Sequence, residues 1–454
     1  MVKRCCSCFL AVALALLLAL PALGAARRVV VPEVFVPGWG HTVYMNKGTP
    51  EERAANFVSI ENLAFAMGQV FRGFFLAALR CDWDYAADGL SAIFFSIFGE
   101  MLLDARGNSI HPISDPWSID PAQDYTERPE FYFGYDFRMD PMESGRQLND
   151  FIQAVKAQTG RSKVAVISES EGACVVMAYL AQFGTADLDA MVLQIGAFNG
   201  LELVGQLFKG EVHVDAQALV NYLCAYVPDE SGAFRFFLQA LKSLGVIDAV
   251  VRPVEYGVLP NIQRRLFDIC LLPIFGHFAA LWTFVPADDF DEAKAYLFNG
   301  REGEYTKLIG EIDAYHSAVG MKTEQLLLGA RADGVRVALM VGYNNPAMPF
   351  TPYSNYQGDG LIDTAHSSAG ATVAPYGETL ANTAGKYAAP DGCIDASTCV
   401  LPDTTWFFKN SGHSAGAMRE LRDWFVQSET AYTVFSDARF PQYMININGA
   451  GVPQ

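Results

Sequence analysis

Lys163-Val-Ala-Val-Ile-Ser-Glu-Ser-Glu-Gly-Ala-Cys-Val-Val-Met-Ala-Tyr-Leu180 is the stretch that decides the fold. Val164 to Ile167 predicts a short buried strand, because apolar and β-branched residues run without a break. After Gly172 the apolar residues continue as an amphipathic helix. Between them lies a short turn with a serine at its apex. Strand, tight turn and helix in that order are the setting of a nucleophile elbow. Ser170 stands at the apex, with Ser168 and Gly172 two residues to either side. These flanks must be small, because the turn is tight and the helix packs close to the strand. Glycine is usual at both flanks; Ser168 is small but carries a hydroxyl. The plainer alternative is a polar loop in which Ser168 or Ser170 caps the helix.

A nucleophilic serine needs a base, and the base needs an acid to orient it. On a mostly parallel sheet of the α/β-hydrolase type these follow in the order serine, acid, histidine, each after a later strand. Val335-Arg-Val-Ala-Leu-Met-Val341 predicts such a strand, and Gly358-Asp-Gly-Leu-Ile-Asp363 follows it. Glycines bracket Asp359 in a tight turn, which makes it the candidate acid. Asp363 is the second choice, and either carboxylate is also a natural turn cap. Thr404-Thr-Trp-Phe-Phe408 predicts the last core strand, leading into Lys409-Asn-Ser-Gly-His-Ser414 and the candidate base His413.

Position eliminates the other histidines. His41 and His111 precede the elbow, and His213, His277 and His316 fall between nucleophile and acid. His366 shares the loop of Asp359. For the oxyanion, one backbone N–H comes from Glu171, directly after the nucleophile. A second is expected from the loop Pro37-Gly-Trp-Gly40 after the early strand Arg28–Val36, donated by Trp39 or Gly40.

These pieces together resemble the lecithin:cholesterol acyltransferase and lysosomal phospholipase A family. Val36-Pro-Gly-Trp39 resembles its V-P-G entry to the oxyanion loop. Gly134-Tyr-Asp-Phe-Arg-Met-Asp-Pro141 resembles its Y-D-W-R stretch, with Phe137 for tryptophan. The Ser170 elbow follows at the family's distance, through a helix with Leu148, Phe151, Ile152 and Val155 on one face. Gly358-Asp-Gly360 and His413 complete the set, and Ala280-Leu-Trp-Thr-Phe-Val-Pro286 resembles a tryptophan-bearing cap segment. The resemblance implies an α/β-hydrolase fold acting on lipid esters, with acyl transfer to an alcohol as an alternative to hydrolysis.

The remaining chain is organised around this core. Residues 1–25 predict a signal peptide: Lys3 and Arg4 precede an apolar run, Phe9 to Leu20, too short for an ordinary spanning helix. Residues 26–200 are the first part of the core, with two apolar helices inserted over 51–104. There Leu63, Met67, Val70, Phe71 and Phe74 recur at helical spacing. Residues 201–330 predict a helical cap, punctuated by Pro253, Pro260, Pro273 and Pro286. Its phenylalanines, among them Phe234, Phe236, Phe237, Phe267, Phe275 and Phe278, are expected in a core, or alternatively as an acyl-chain wall or a lipid-facing patch. Residues 331–430 carry acid and histidine, and 431–454 are expected to be a tail.

The net charge is −18 over 454 residues, which argues against nucleic-acid binding and against docking to anionic membranes by charge alone. Beyond the leader six cysteines remain, Cys81, Cys174, Cys224, Cys270, Cys393 and Cys399. Export permits disulfides, and a Cys393–Cys399 bond is expected across a short polar loop. No Cys/His spacing points to zinc, so neither metal nor other cofactor is expected. The absence of an N-x-[ST] sequon leans toward a bacterial source. The sequence thus reads as a secreted serine esterase of the lipase or phospholipase kind. Its expected partner is a hydrophobic ester, with transient lipid-surface contact through the cap and no transmembrane segment in the mature chain. An O-acyltransferase, or a non-catalytic lipid-binding protein on the same scaffold, are the alternatives.

Overall fold

A computed structural model describes residues 31–55, 60–122, 130–227, 232–350, 356–381, 385–428, 430 and 432–454. The expected leader, residues 1–25, lies outside the described residues. The fold is mixed α/β around one eight-stranded sheet. Numbering its strands in chain order, β1 is Glu33–Val36, β2 Glu130–Tyr132, β3 Val164–Glu169, β4 Leu188–Gln194, β5 Arg336–Tyr343, β6 Thr405–Lys409, β7 Tyr443–Ile447 and β8 Ala450–Pro453. Their order across the sheet is β8-β7-β6-β5-β4-β3-β1-β2. Every neighbouring pair is parallel except the β7–β8 hairpin at one edge.

Helices cover both faces, so the central strands have no solvated side and read as near-continuous apolar runs. Alternate residues serve the two layers. Val166, Leu193, Leu339 and Phe407 enter one core. Ile167, Val192, Met340 and Trp406 enter the other, against Leu421 and Phe425 of the helix Arg419–Val426.

The helix Pro141–Thr159 lies on the first layer. Asp140 caps it by accepting from Met142 N at 2.9 Å, Pro141 occupies the first turn, and Gly160 ends it in the left-handed region. Its buried face is Leu148, Phe151, Ile152 and Val155, the stripe anticipated from the sequence. At roughly 1.5–3 kcal/mol for each such side chain, that face outweighs any propensity term in fixing the helix. It crosses the helix Gly172–Phe183 closely at Gly145, where a Cβ would stand 2.8 Å from Tyr179 N.

Three expectations need correction. Residues 431–454 are not a plain tail: they hold β7 and β8, joined at Asn448-Gly449, both at positive φ as a tight hairpin turn requires. The block 201–330 is not one cap. From Phe278 onward its side chains, among them Trp282, Phe298, Leu308, Ile312 and Leu327, pack into the same core as the sheet. The outlying part comprises the helices Ala216–Tyr226, Ala233–Ser243, Val246–Pro253 and Leu259–Leu266. Phe236 and Phe237 of this part are exposed, whereas Phe267 and Phe278 are buried.

The third correction concerns the cysteines: Cys393 and Cys399 are free thiols and form no bond with each other. These two flank a strand, Ile394–Asp395, and a helical turn, Ala396–Thr398, and they serve different neighbours. Cys393 Sγ donates to Glu378 O at 3.4 Å. Cys399 is buried beside Ser368, in the layer that faces Tyr443.

Candidate active site

β1 leads to β2 on one side, and the chain then returns to place β3 on the other side of β1. The strand order reverses at that point, and a crevice opens at the carboxyl ends of the two strands. Ser170 follows β3 there, and Pro37 to Gly40 follow β1. Ser170 has φ 51°, a left-handed conformation that costs a non-glycine residue about 1–3 kcal/mol. Its neighbours hold it in place. Ser170 N donates to Gln194 O, and Ser170 O accepts from Ala173 N and Ala197 N, each at 3.1 Å.

The flanking residues differ in how much depends on their size. Gly172 lies against β1, where a Cβ would come within 2.3 Å of Val36 O and 2.7 Å of Pro37 O. No side chain fits. Ser168 belongs to β3, fully buried in register with Val36 and Leu193. Its hydroxyl fits but engages no partner among the described residues. It is a filled position on the strand, two residues from the turn.

The two long-range partners reach Ser170 from separate loops. His413 Nε2 is 3.1 Å from Ser170 Oγ, and His413 Nδ1 is 2.8 Å from Asp359 Oδ2. Asp359 is 2% exposed, and its second oxygen accepts from Leu361 N at 2.9 Å and Ile362 N at 2.8 Å. The carboxylate is therefore locked by its own turn, with one oxygen for the backbone and one for the imidazole. Gly342 near the end of β5 makes room for this meeting: a Cβ there would stand 2.7 Å from both Asp359 Cβ and Ser411 Oγ. Burial pulls the His413 pKa down. The Asp359 charge and hydrogen bond, with Glu169 adding, more than offset it and leave the value above the ordinary 6.5.

Asp363, the second choice for the acid, is occupied elsewhere. It caps the short helix Thr364–Ser367, accepts from Glu202 N at 3.0 Å and pairs with His366 Nδ1 at 2.5 Å. The structure thus brings Ser170, His413 and Asp359 together and leaves Asp363 beside them in a structural pair.

The loop expected to complete an oxyanion site stands next to the serine. A Cβ on Gly38 would be 2.8 Å from Ser170 Cβ, so only glycine lets this backbone approach. Gly40, at φ 81°, turns the chain away again. Among the described residues no acceptor takes the N–H of Gly40 or of Glu171. Tyr135 Oη donates to Pro37 O at 2.8 Å and pins the loop from behind. Phe137 packs edge-on against Trp39, with ring centroids 5.4 Å apart. Arg138 is fully buried and forked onto Asp136, with Met101 O as a further acceptor. These roles for Tyr135, Phe137 and Arg138 were not readable from residue spacing, which marks the segment without saying what it touches.

The side chain of Glu171 was also missed. It is buried beneath the loop beside Tyr135. Burial first, and then the nearby Asp136, push its carboxyl pKa far above the usual range despite a hydrogen bond to Tyr135. Its proton is therefore held more tightly than that of an exposed glutamic acid.

The outlying helices reach the acid side of the crevice. The Tyr226 ring lies against Gly360, where a Cβ would fall 1.9 Å from its hydroxyl. Two cavities of about 20 and 230 Å³ lie elsewhere, and neither is lined by Ser170, Asp359 or His413. No group of three or more metal-ligating side chains occurs among the described residues.

No family model and no curated protein matches this chain. Among solved structures, the crystal structure of the Tle4-Tli4 complex is similar over 69% of this chain and 75% of its own, with 12% identity and a TM-score of 0.29. That likeness is too slight to bear on fold or function.

Proposed function

We propose that this chain is a serine hydrolase of the lipase or phospholipase type, built on an α/β-hydrolase fold and similar to the lecithin:cholesterol acyltransferase and lysosomal phospholipase A family. One observation carries the reading: an unbroken hydrogen-bonded relay runs from Ser170 through His413 to Asp359 at the strand-order reversal.

In this reading Ser170 Oγ attacks the ester carbonyl carbon while His413 Nε2 takes its proton. Asp359 holds the Nδ1–H tautomer and stabilises the imidazolium. The N–H groups of Glu171 and of Trp39 or Gly40 receive the oxyanion. Burial raises the Glu171 carboxyl pKa, which disfavours a second negative charge beside the oxyanion. Collapse breaks the ester C–O bond, and His413 returns the proton to the departing alcohol. Water, activated by the same histidine, then releases the acid from the acyl-enzyme. The exposed aromatic surface of the outlying helices supports hydrophobic esters as the substrate class.

Labelling with a fluorophosphonate probe tests the reading, because only an activated serine reacts. Wild type labels on Ser170, and Ser170→Ala neither labels nor hydrolyses a short chromogenic ester. Labelling that persists in Ser170→Ala, or a wild type inert to the probe, refutes it. Product analysis with an added long-chain alcohol separates hydrolysis from acyl transfer.

A further inference from the structure

His41 precedes the elbow in the chain and does not serve as the base, yet the fold seats it against the loop that faces Ser170. Its side chain is 7% exposed. His41 N donates to Gly38 O at 3.4 Å, closing a turn in which Gly40 stands at φ 81°. A type II turn needs that positive φ at its third residue. The imidazole then engages two carbonyls. Nδ1 is 2.9 Å from Gly38 O, and Nε2 is 2.8 Å from Tyr135 O. Carbonyl oxygens only accept, so each ring nitrogen that engages one is a donor. The Nδ1–H tautomer holds Gly38, and the imidazolium holds both. The ring packs on Tyr135 and Phe137, at centroid distances of 4.8 and 5.4 Å, and Asp115 Oδ2 lies 3.7 Å from Nε2.

The peptide unit transmits this contact. Gly38 C=O and Trp39 N–H belong to one planar trans amide, so they point in opposite directions. A donor on Gly38 O therefore fixes where Trp39 N–H points, which is away from His41. The preceding amide is held in the same way, since Tyr135 Oη donates to Pro37 O at 2.8 Å. Nε2 closes the ring of contacts by returning to the Tyr135 backbone. The close approach of Gly38 to Ser170, 2.8 Å from a Cβ built there to Ser170 Cβ, sets how near the loop lies. The two carbonyl contacts set how its amides are turned.

We propose that His41 is a positioning residue: its Nδ1–H holds Gly38 O and so aims Trp39 N–H at the oxyanion, while Nε2 ties the loop to the backbone of Tyr135. This rests on the hydrolase reading and selects Trp39 over Gly40 as the second oxyanion donor.

The two contacts can be separated, because an asparagine amide reaches as far as Nδ1 and a glutamine amide as far as Nε2. His41→Asn keeps the donor to Gly38 O and loses the tie to Tyr135 O; His41→Gln does the reverse. On a soluble monomeric ester, His41→Gln should lose about 10²-fold in kcat, the scale of one oxyanion donor. KM should stay within about threefold, because the oxyanion develops only in the transition state. His41→Asn should rescue kcat to within about fivefold of wild type, since the contact that aims the donor remains. Melting temperatures should not separate the two variants, as each keeps one contact. An alkylboronate, whose tetrahedral serine adduct places an oxygen in the oxyanion site, should bind His41→Gln about 10²-fold more weakly than His41→Asn. His41→Ala lacks both donors, adds no bulk and should repeat the loss, which keeps the test decisive if the longer amide does not fold. Equal kcat or equal boronate affinity in the Asn and Gln variants, or a more active Gln variant, would overturn the proposal. A wild type that neither hydrolyses the ester nor takes the fluorophosphonate label would remove the hydrolase reading and this role with it. A labelled, active wild type with indistinguishable variants strikes the role of His41 alone.

Discussion

Asp359→Asn replaces a carboxylate whose two oxygens have separate duties. Oδ1 accepts two backbone N–H groups, from Leu361 and Ile362, while Oδ2 faces His413 Nδ1. An asparagine offers one oxygen and one NH₂. With the oxygen toward the backbone, the NH₂ points at His413, which must accept at Nδ1 and so carries its proton on Nε2. That tautomer cannot take a proton from Ser170. The opposite orientation restores the productive tautomer but sets the NH₂ against two buried N–H groups. Each unsatisfied donor costs about 1–3 kcal/mol, so the productive form is disfavoured by about 2–6 kcal/mol. At 1.36 kcal/mol per tenfold this is a loss of about 30-fold to about 10⁴-fold, before the lost stabilisation of the imidazolium is added. We expect kcat/KM on a soluble monomeric ester to fall by at least about 10³-fold. The pH profile supplies an independent check. In wild type, activity rises with pH through a His413 pKa held above 6.5 by Asp359. In the variant the carboxylate is gone but the burial remains, so the residual activity should rise at lower pH. Activity within tenfold of wild type, or an unmoved acid limb, would refute the assignment of Asp359.

Two further variants separate the elbow and the neighbouring pair from the chemistry. Ser168→Ala should keep activity within a few-fold and leave stability unchanged or slightly raised, because the hydroxyl it removes is buried and unpartnered; inactivation would move the nucleophile two residues. Asp363→Asn should lower stability by about 3 kcal/mol, as breaking a buried pair does, and leave activity within tenfold, read by thermal melts and ester assay. The parent's stability should show the same pair. Burial opposes the Asp363 charge, but His366 and backbone N–H groups hold its pKa below the ordinary value. Its contribution is present above that ordinary value and is lost as pH falls through the folded one. Burial likewise opposes the His366 charge, but Asp363 raises its pKa. That contribution is complete below 6.5 and is lost as pH rises through the folded value. A variant whose melting temperature follows pH as the parent's does would remove the pair from this account.

What the sequence disclosed and what it hid divide by how local the signal is. The elbow was legible because strand, turn and helix are adjacent in the chain and each has its own periodicity. Asp359 and His413 were legible through order alone, and their distances came only with the fold. The hairpin β7–β8 was missed although Asn448-Gly449 is a strong turn signal, because its strands are short and their pattern is broken by Asn446. The helix Ile60–Arg80 was placed by its period, but a period identifies a stripe and not which stripe is buried. Ala66, Gly73 and Ala77 gave no hydrophobic signal, yet they form the packed side. The raised carboxyl pKa of Glu171 could not be read at all, since it depends on burial beneath a loop more than a hundred residues away in the chain.

The separation of the three candidate residues along the chain also sets when they can work. Ser170 and His413 lie 243 residues apart, and the contact between them forms only after β6 has joined β5. At about 5–20 residues per second, a ribosome needs about 12–50 s to deliver the histidine after the serine. Through that interval the elbow folds without a base, and the nascent polypeptide lacks the relay on which the proposed hydrolysis depends. Ester turnover should accordingly appear only in full-length product during synchronised translation, as a late and abrupt readout of global folding.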